Sequence, residues 1–403
     1  MFKLFVIGVA DPVLSARQES LLATCTLIVG TRRFELLTDR FSATFQYITP
    51  LAEALAAIAL YLPQGNVAVL ASGDPLFYGI GRRLFAEFPA EAIEIHPALS
   101  SVQRACALFR LPWDDAVVVS LHGRPCSHLP GLLLGHGKHL VLTDADHSPA
   151  RIAGKLLKYL QSIGETDLVQ TIRMLVAENI GLPNERVFRG TLREAAIRQF
   201  AELNILCLLV PESPGLPNFT FGLGEDDLFH SRGLITKNEV RATTLHALRL
   251  PPAGIFWDIG AGSGSLSIEA ARANPRLTVY AVEQKDEELQ NIKKNIVKFR
   301  SFNIVPVAGT APEALDRLPS PDRIFVGGSG GSLPAIVELA ADRLAEGGIL
   351  VVNGVIDRTV REAPPLMKKF GFTVSSSVIS VTRTEPDGEE RRFNPITIMT
   401  GRR

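Results

Sequence analysis

The feature that most constrains this chain lies in its second half, where an apolar β-type run over 255–259 enters a D-x-G-x-G-x-G sequence, Asp258 to Gly264, and then the helical pattern Ser265–Ala273. Strand, glycine loop and helix in that order build a tight turn whose backbone N–H groups, at a helix N-terminus, can meet a ligand closely. A dinucleotide fingerprint counted from Gly260 demands glycine or alanine at 265, and the residue there is Ser265. Glu283 closes the next β-type run, 278–282, where a carboxylate can accept both hydroxyls of a ribose. A ligand-free turn beside a solvated carboxylate is the competing reading of the same residues.

Further β-type runs follow at 304–307, 323–326, 349–352, 373–380 and 396–400. Helical patterns separate the first five of the seven, and a turn sequence from Glu385 to Gly388 separates the last two, which predicts a mostly parallel sheet with antiparallel strands at one edge. Upstream, Thr236 and Glu239 have the spacing of a capping box, and Val240, Thr244, Ala247 and Leu248 share one face of the helix it would start. In the first half, β-type runs at 4–7, 26–29, 67–70, 116–119, 139–142, 175–177 and 203–210 alternate with helical stretches, again an α/β pattern. The dense proline and glycine of 211–217 sets the boundary: a first domain 1–210, a linker 211–218 and a second domain 219–403. The segment 109–115, with Pro112, is the candidate point of division of the first domain into two lobes.

At 403 residues the chain has room for these domains. Lys plus Arg equals Asp plus Glu at 42 each, so no global field draws nucleic acid or an anionic membrane. The apolar run 2–9 is short, lacks a basic leader and reads as a first strand; no other segment approaches the ~20 apolar residues of a membrane helix, and a cytoplasmic location is expected. Cys25, Cys106, Cys126 and Cys207 lie far apart without C-x-x-C spacing, which fits a reducing compartment. His122, His128, His136, His139 and His147 crowd one stretch without helical ligand spacing, and no metal site is expected.

The D-x-G-x-G-x-G pattern resembles motif I of class I S-adenosylmethionine methyltransferases. With ITKNEVRA at 235–242, GTAPEA at 309–314 and IFVGGSGG at 324–331, the second half is similar to the C15-methylating, decarboxylating enzymes of corrin biosynthesis. The first half, through FVIGVA at 5–10, LASGDPLFYG at 70–79, PALSSVQ at 97–103, SLHGR at 120–124 and AENIGLPNER at 177–186, resembles the C5-methylating branch of the tetrapyrrole methylases. Gly8 to Pro12 departs from the commoner Gly-Pro-Gly form of that family's first loop. The resemblance covers nearly the whole chain, and the fused order is that of the decarboxylating precorrin-6Y C5,15-methyltransferase family.

This resemblance implies an α/β protein with an N-terminal two-lobed tetrapyrrole methylase fold and a C-terminal Rossmann-like, seven-stranded class I methyltransferase domain, each using S-adenosyl-L-methionine. Carried over residue by residue, the cofactor would meet Gly73, Asp74, Leu76, Phe77 and Tyr78 in the first half. In the second it would meet Thr236, Gly260, Ala261, Gly262, Ser263, Gly264, Glu283 and Ala311. Gly328, Ser329 and Gly330 lie in a run of small residues after the fourth strand, which reads equally as room for a large flat acceptor and as a flexible loop; the Asp/Asn-Pro-Pro-aromatic motif of nucleic-acid amino-methylating enzymes is absent there. The implied acceptor is a precorrin, methylated at C5 and C15 and decarboxylated at its C12 acetate. Its carboxylates need cationic partners, for which Arg82, Arg104, Arg124 and Arg241 are candidates. No catalytic residue is assigned, because displacement at a sulfonium methyl needs alignment and not a protein nucleophile. A homo-oligomer without nucleic-acid or membrane partners is expected. An RNA- or protein-modifying methyltransferase and a non-catalytic tetrapyrrole carrier remain the alternatives; neutral charge weighs against RNA, and two sets of cofactor motifs weigh against a carrier.

Overall fold

The computed structural model describes every residue except 1, 11, 12, 124, 125, 127, 213–218, 232–234, 385 and 386. Arg124 and most of the expected linker lie outside the described residues.

Strands β1 (Leu4–Val9), β2 (Cys25–Gly30), β3 (Thr44–Tyr47), β4 (Asn66–Ser72) and β5 (Ile93–His96) form an all-parallel sheet in the order β3-β2-β4-β1-β5. Every residue of β1 is buried. Phe5, Ile7 and Leu70 pack on one face and Leu4, Val6 and Val69 on the other, as a parallel sheet covered on both sides requires. Strands β6 (Val117–Ser120), β7 (Lys138–Leu142), β8 (Arg173–Glu178), β9 (Arg186–Thr191) and β10 (Asn204–Leu209) form a second sheet, β6-β7-β10-β8-β9, in which the β6–β7 pair alone is parallel. The two sheets divide after the helix Ser101–Phe109, at the Pro112 segment, so the two-lobed expectation holds. The sequence reading missed β3, β5 and β9. Each is an edge strand without an apolar run: β3 (Thr-Phe-Gln-Tyr) and β5 (Ile-Glu-Ile-His) alternate over only four residues, and β9 has no clean alternation.

In the second half, β11 (Gly254–Ile259), β12 (Leu277–Glu283), β13 (Ile304–Ala308), β14 (Arg323–Val326), β15 (Ile349–Gly354), β16 (Thr373–Ile379), a short pair β17 (Thr382–Thr384) and β18 (Glu390–Arg392), and β19 (Ile396–Arg402) follow in chain order. All seven expected strands build one sheet, β13-β12-β11-β14-β15-β19-β16. Strand β19 runs antiparallel between β15 and β16. The expected direct hairpin is corrected in one respect: the Asp387-Gly388 turn closes the separate β17–β18 ribbon, not the β16–β19 pair. Trp257 is fully buried among Ile324, Leu350 and Met399, and its indole N–H donates to the Pro319 carbonyl at 3.1 Å, so the ring is buried with its one polar atom satisfied.

The chain forms two compact units: 1–124, 138–151 and 173–209 make the first, and 125–137, 152–172 and 210–403 the second. Residues that precede the 211–218 boundary therefore belong to the second unit. The buried Tyr159 hydroxyl donates to the Ile304 carbonyl at 2.7 Å, and His128 Nε2 lies 2.8 Å from the Phe302 carbonyl. Burial pushes the His128 imidazole down to about 4, so the ring is neutral near pH 7 and meets the carbonyl as its Nε2–H tautomer. Among the described residues no helix is long and apolar enough to cross a membrane.

Candidate active site

The strand order of the seven-stranded sheet reverses between β11 and β14, and the crevice beyond the carboxyl ends of such strands is where open α/β sheets receive ligands. A cavity lies there. Its walls come from four strand ends: Ile259 and Gly260 after β11, Val282 to Lys285 at β12, Gly309, Thr310 and Ala311 after β13, and Gly328, Ser329, Gly330 and Ser332 after β14. Gly260, Glu283, Ala311 and Gly328 to Gly330, far apart in sequence, thus share one site. Gln284, Lys285 and Thr310 escaped the earlier reading, although Thr310 stands in the GTAPEA phrase.

The glycines have different reasons to be glycine. Gly260 has φ +70°, and a Cβ there would lie 2.4 Å from the Gly328 carbonyl oxygen, so the loops after β11 and β14 pack backbone on backbone. Gly262 has φ +56°, but a Cβ there would meet nothing within 4 Å; open space adjoins its backbone. Gly264, at φ +77°, is the N-cap of the helix Ser265–Ala273. Ser263 is buried, and its carbonyl accepts from Asn295 Nδ2. Ala261 donates its N–H to the Val282 carbonyl.

The Glu283 carboxylate is 7% exposed and accepts three backbone hydrogen bonds, from Gly262 at 2.8 Å through Oε2 and from Gln284 and Lys285 at 2.9 and 3.0 Å through Oε1. Three bonds leave part of its acceptor capacity free. Asp258 is wholly buried; Ser267 Oγ donates to Oδ2 at 2.5 Å, while Oδ1 has no partner among the described residues. Burial, reinforced by the Glu283 charge and only partly opposed by Ser267, raises the Asp258 carboxyl to about 7.

Two expectations for the upstream helix are corrected. Its N-cap is Lys237, without a side-chain cap, and the Thr236–Glu239 box does not form. Glu239 instead takes two bonds from Arg383 of β17, at 2.9 and 2.7 Å, and that guanidinium holds its carboxyl below the ordinary value. Arg241, expected to face a substrate, is 1% exposed. It pairs with Glu269 at 3.2 Å and donates to the Leu223 and Thr236 carbonyls, so it ties the segments around Leu223 and Thr236 to the helix Ser265–Ala273 and presents no charge to solvent. Thr236 itself is not part of the cavity wall.

In the first unit, β4 ends in the loop that starts at Gly73, φ +67°, whose N–H donates to the Val9 carbonyl. A Cβ on Gly8 would fall 2.0 Å from the Gly73 oxygen, so this backbone crossing tolerates no side chain. Asp74 Oδ1 accepts from the Leu76 N–H at 2.8 Å, which commits that carboxylate to shaping the turn. Phe77 packs against the core of the second lobe, Tyr78 adopts φ +53°, and Leu76 and Tyr78 are about half exposed. The loop therefore stands between the two lobes. Arg104 donates to the Ala10 carbonyl and lies against Gly181, while Arg82 is exposed on the helix Gly81–Glu87.

Residues 7–196 match the family described as Tetrapyrrole (Corrin/Porphyrin) Methylases, and residues 227–401 match the Precorrin methyltransferase domain. A relative from Sinorhizobium sp, Precorrin-6Y C(5,15)-methyltransferase [decarboxylating], is 35% identical over 98% of this chain and 95% of its own. The protein of the same name from Mycobacterium tuberculosis (strain CDC 1551 / Oshkosh) is 33% identical over 87% of each chain. A crystal structure of Precorrin-6y C5,15-methyltransferase from Geobacter metallireducens GS-15 covers 47% of this chain and all of its own at 38% identity, with a TM-score of 0.46. Both halves are matched in the same fused order across nearly the full length of the first relative, and this chain belongs to the family of decarboxylating precorrin-6Y C5,15-methyltransferases.

Proposed function

We propose that this enzyme uses S-adenosyl-L-methionine to methylate C5 and C15 of precorrin-6Y, or its cobalt counterpart, and removes the carboxyl group of the C12 acetate to give the precorrin-8 stage of cobalamin biosynthesis. The first unit carries C5 methylation, and the second carries C15 methylation with decarboxylation. The observation that carries this reading is the cavity at the strand-order reversal, where Glu283, Gly260 of the glycine loop and the small residues Gly328 to Gly330 converge.

The residues present fit the cofactor: open space adjoins the Gly262 backbone, and Glu283 retains acceptor capacity for ribose hydroxyls. When bound, S-adenosylmethionine supplies an electrophilic methyl group on a sulfonium centre. Glu283 would hold the ribose, and Gly260 to Gly264 would allow backbone approach. Gly328, Ser329 and Gly330 would leave the acceptor's flat face unobstructed. In the first unit Gly73, Asp74, Leu76, Phe77 and Tyr78 would frame the second cofactor. Transfer needs in-line alignment and exclusion of water, and no protein nucleophile. Decarboxylation draws on the conjugated ring imine as its electron sink, so the substrate supplies that chemistry itself.

The test is turnover of methyl-labelled S-adenosylmethionine with precorrin-6Y. Two labels per product and loss of one carbon dioxide by mass spectrometry support the proposal; label in RNA or protein and none in the tetrapyrrole overturns it.

A further inference from the structure

Resting on the C5-methylation reading of the first unit, we propose that the cleft between the ends of β2 and β3 is a subsite for a carboxylate of the tetrapyrrole acceptor, with Arg32 as its cation. The cleft, of about 570 Å³, is lined by Gly30, Thr31 and Arg32 at the end of β2 and by Tyr47, Ile48 and Thr49 at the end of β3. Ligand sites span roughly 300–1,000 Å³, so it has room for more than one acid side chain.

Its position in the sheet carries the argument. Strand β2 lies between β3 and β4, all three parallel, so the cleft opens at the same carboxyl edge as the Gly73 loop that follows β4. Neighbouring strands are about 4.8 Å apart, which puts the cleft one to two strand spacings, roughly 5–10 Å, from that loop. An acceptor whose meso carbon reacts beside the Gly73 loop carries acid side chains on the adjoining rings, within a comparable reach.

The polar groups of the cleft suit an anion. Nearby Arg33 lies over the Phe34 ring, and Arg40 pairs with Glu19, whereas Arg32 is exposed with no ion pair among the described residues. The Tyr47 hydroxyl donates to Glu35 Oε2 at 2.8 Å, so its proton is already committed. The Thr31 side chain caps no helix amide. Arg32 is therefore the cation of the wall, with the Thr31 and Thr49 hydroxyls as neutral donors beside it. A guanidinium next to hydroxyl donors matches the two oxygens of a carboxylate.

The test uses the full-length enzyme with Arg32→Ala and Arg32→Lys, following C5 methylation from a ¹³C-methyl label, cofactor affinity by calorimetry and Tm by thermal melts. Arg32→Ala should raise the acceptor KM roughly tenfold or more, the loss of charge-assisted hydrogen bonds. Cofactor affinity and Tm should not change, and Arg32→Lys should recover part of the effect because it keeps the charge but not the bidentate fork. If the native enzyme methylates C5 and Arg32→Ala leaves KM unchanged, or shifts cofactor affinity and Tm together with KM, the subsite assignment fails while the C5 reading stands. If the native enzyme does not methylate C5, both fail.

Discussion

The Glu283 carboxylate accepts a 2.8 Å hydrogen bond from the Gly262 amide, joining the end of β12 to the glycine loop after β11 across 21 residues of sequence. The residue placed to hold a ribose is thus also the residue that fixes the loop. Substitution of Glu283 by alanine should weaken cofactor binding at the second site about tenfold or more, each lost hydrogen bond to a charged group being worth roughly 1.5–3 kcal/mol. Two-site calorimetry should show the first site unchanged; equal affinity at both sites before and after substitution removes Glu283 from the cofactor contacts.

Gly260 and Gly262 should respond differently to a side chain. Gly260→Ala drives a Cβ into the Gly328 backbone and should cost about 1–3 kcal/mol in stability, visible in Tm. Gly262→Val meets open space and carries only the strain of its positive φ, on the order of 1–3 kcal/mol, so the fold should persist while the ligand's room is filled. Its product should be at most singly methylated and keep the acetate carboxyl. Carbon dioxide release by a folded Gly262→Val variant unable to bind cofactor in its second half would assign decarboxylation elsewhere.

The raised Asp258 carboxyl makes stability depend on pH. Its folded value of about 7 exceeds the ordinary 3.8, so its contribution is fully present below 3.8 and is lost as pH rises to about 7, because only the unfolded chain ionises freely in that window. Asp258→Asn has no such charge to bury. Urea denaturation across that range should show the variant gaining on the native chain as pH rises, and a difference independent of pH would refute the assignment.

Breaking the Arg241–Glu269 pair should destabilise the second unit and not weaken acceptor binding directly. Arg241→Ala leaves a buried carboxylate without its cation, which costs about 3–5 kcal/mol in comparable sites. Chemical denaturation measures this. Native stability combined with a raised acceptor KM would return Arg241 to the substrate site.

Tyr159→Phe removes the buried hydroxyl from the Ile304 carbonyl and should cost about 1–3 kcal/mol, the penalty for an unsatisfied buried acceptor. A fragment spanning 219–403 lacks both Tyr159 and His128 and should melt below the second-unit transition of the intact chain. An unchanged transition in the fragment would show that residues 152–172 contribute nothing to that unit.

The sequence by itself determined the architecture. Asp258 to Gly264 and Glu283 sit in or just after β11 and β12, which with β14, β15 and β19 are interior strands of the sheet, and in a turn rich in positive-φ glycine, so local chemistry and periodicity suffice to read them. Edge strands β3 and β9 were not legible, because the alternation of β3 spans only four residues and β9 has none. Partner choice was decided by the tertiary structure alone. Thr236 and Glu239 have capping-box spacing, yet Arg383, 144 positions away, takes the Glu239 carboxylate; Arg241 has the look of a surface cation, yet Glu269 draws it into the interior. Tyr159 precedes the domain boundary and bonds a strand that follows it. Charged and hydroxyl groups bond whichever partner the fold brings within 3 Å, and that distance is a property of the packed chain, not of sequence spacing.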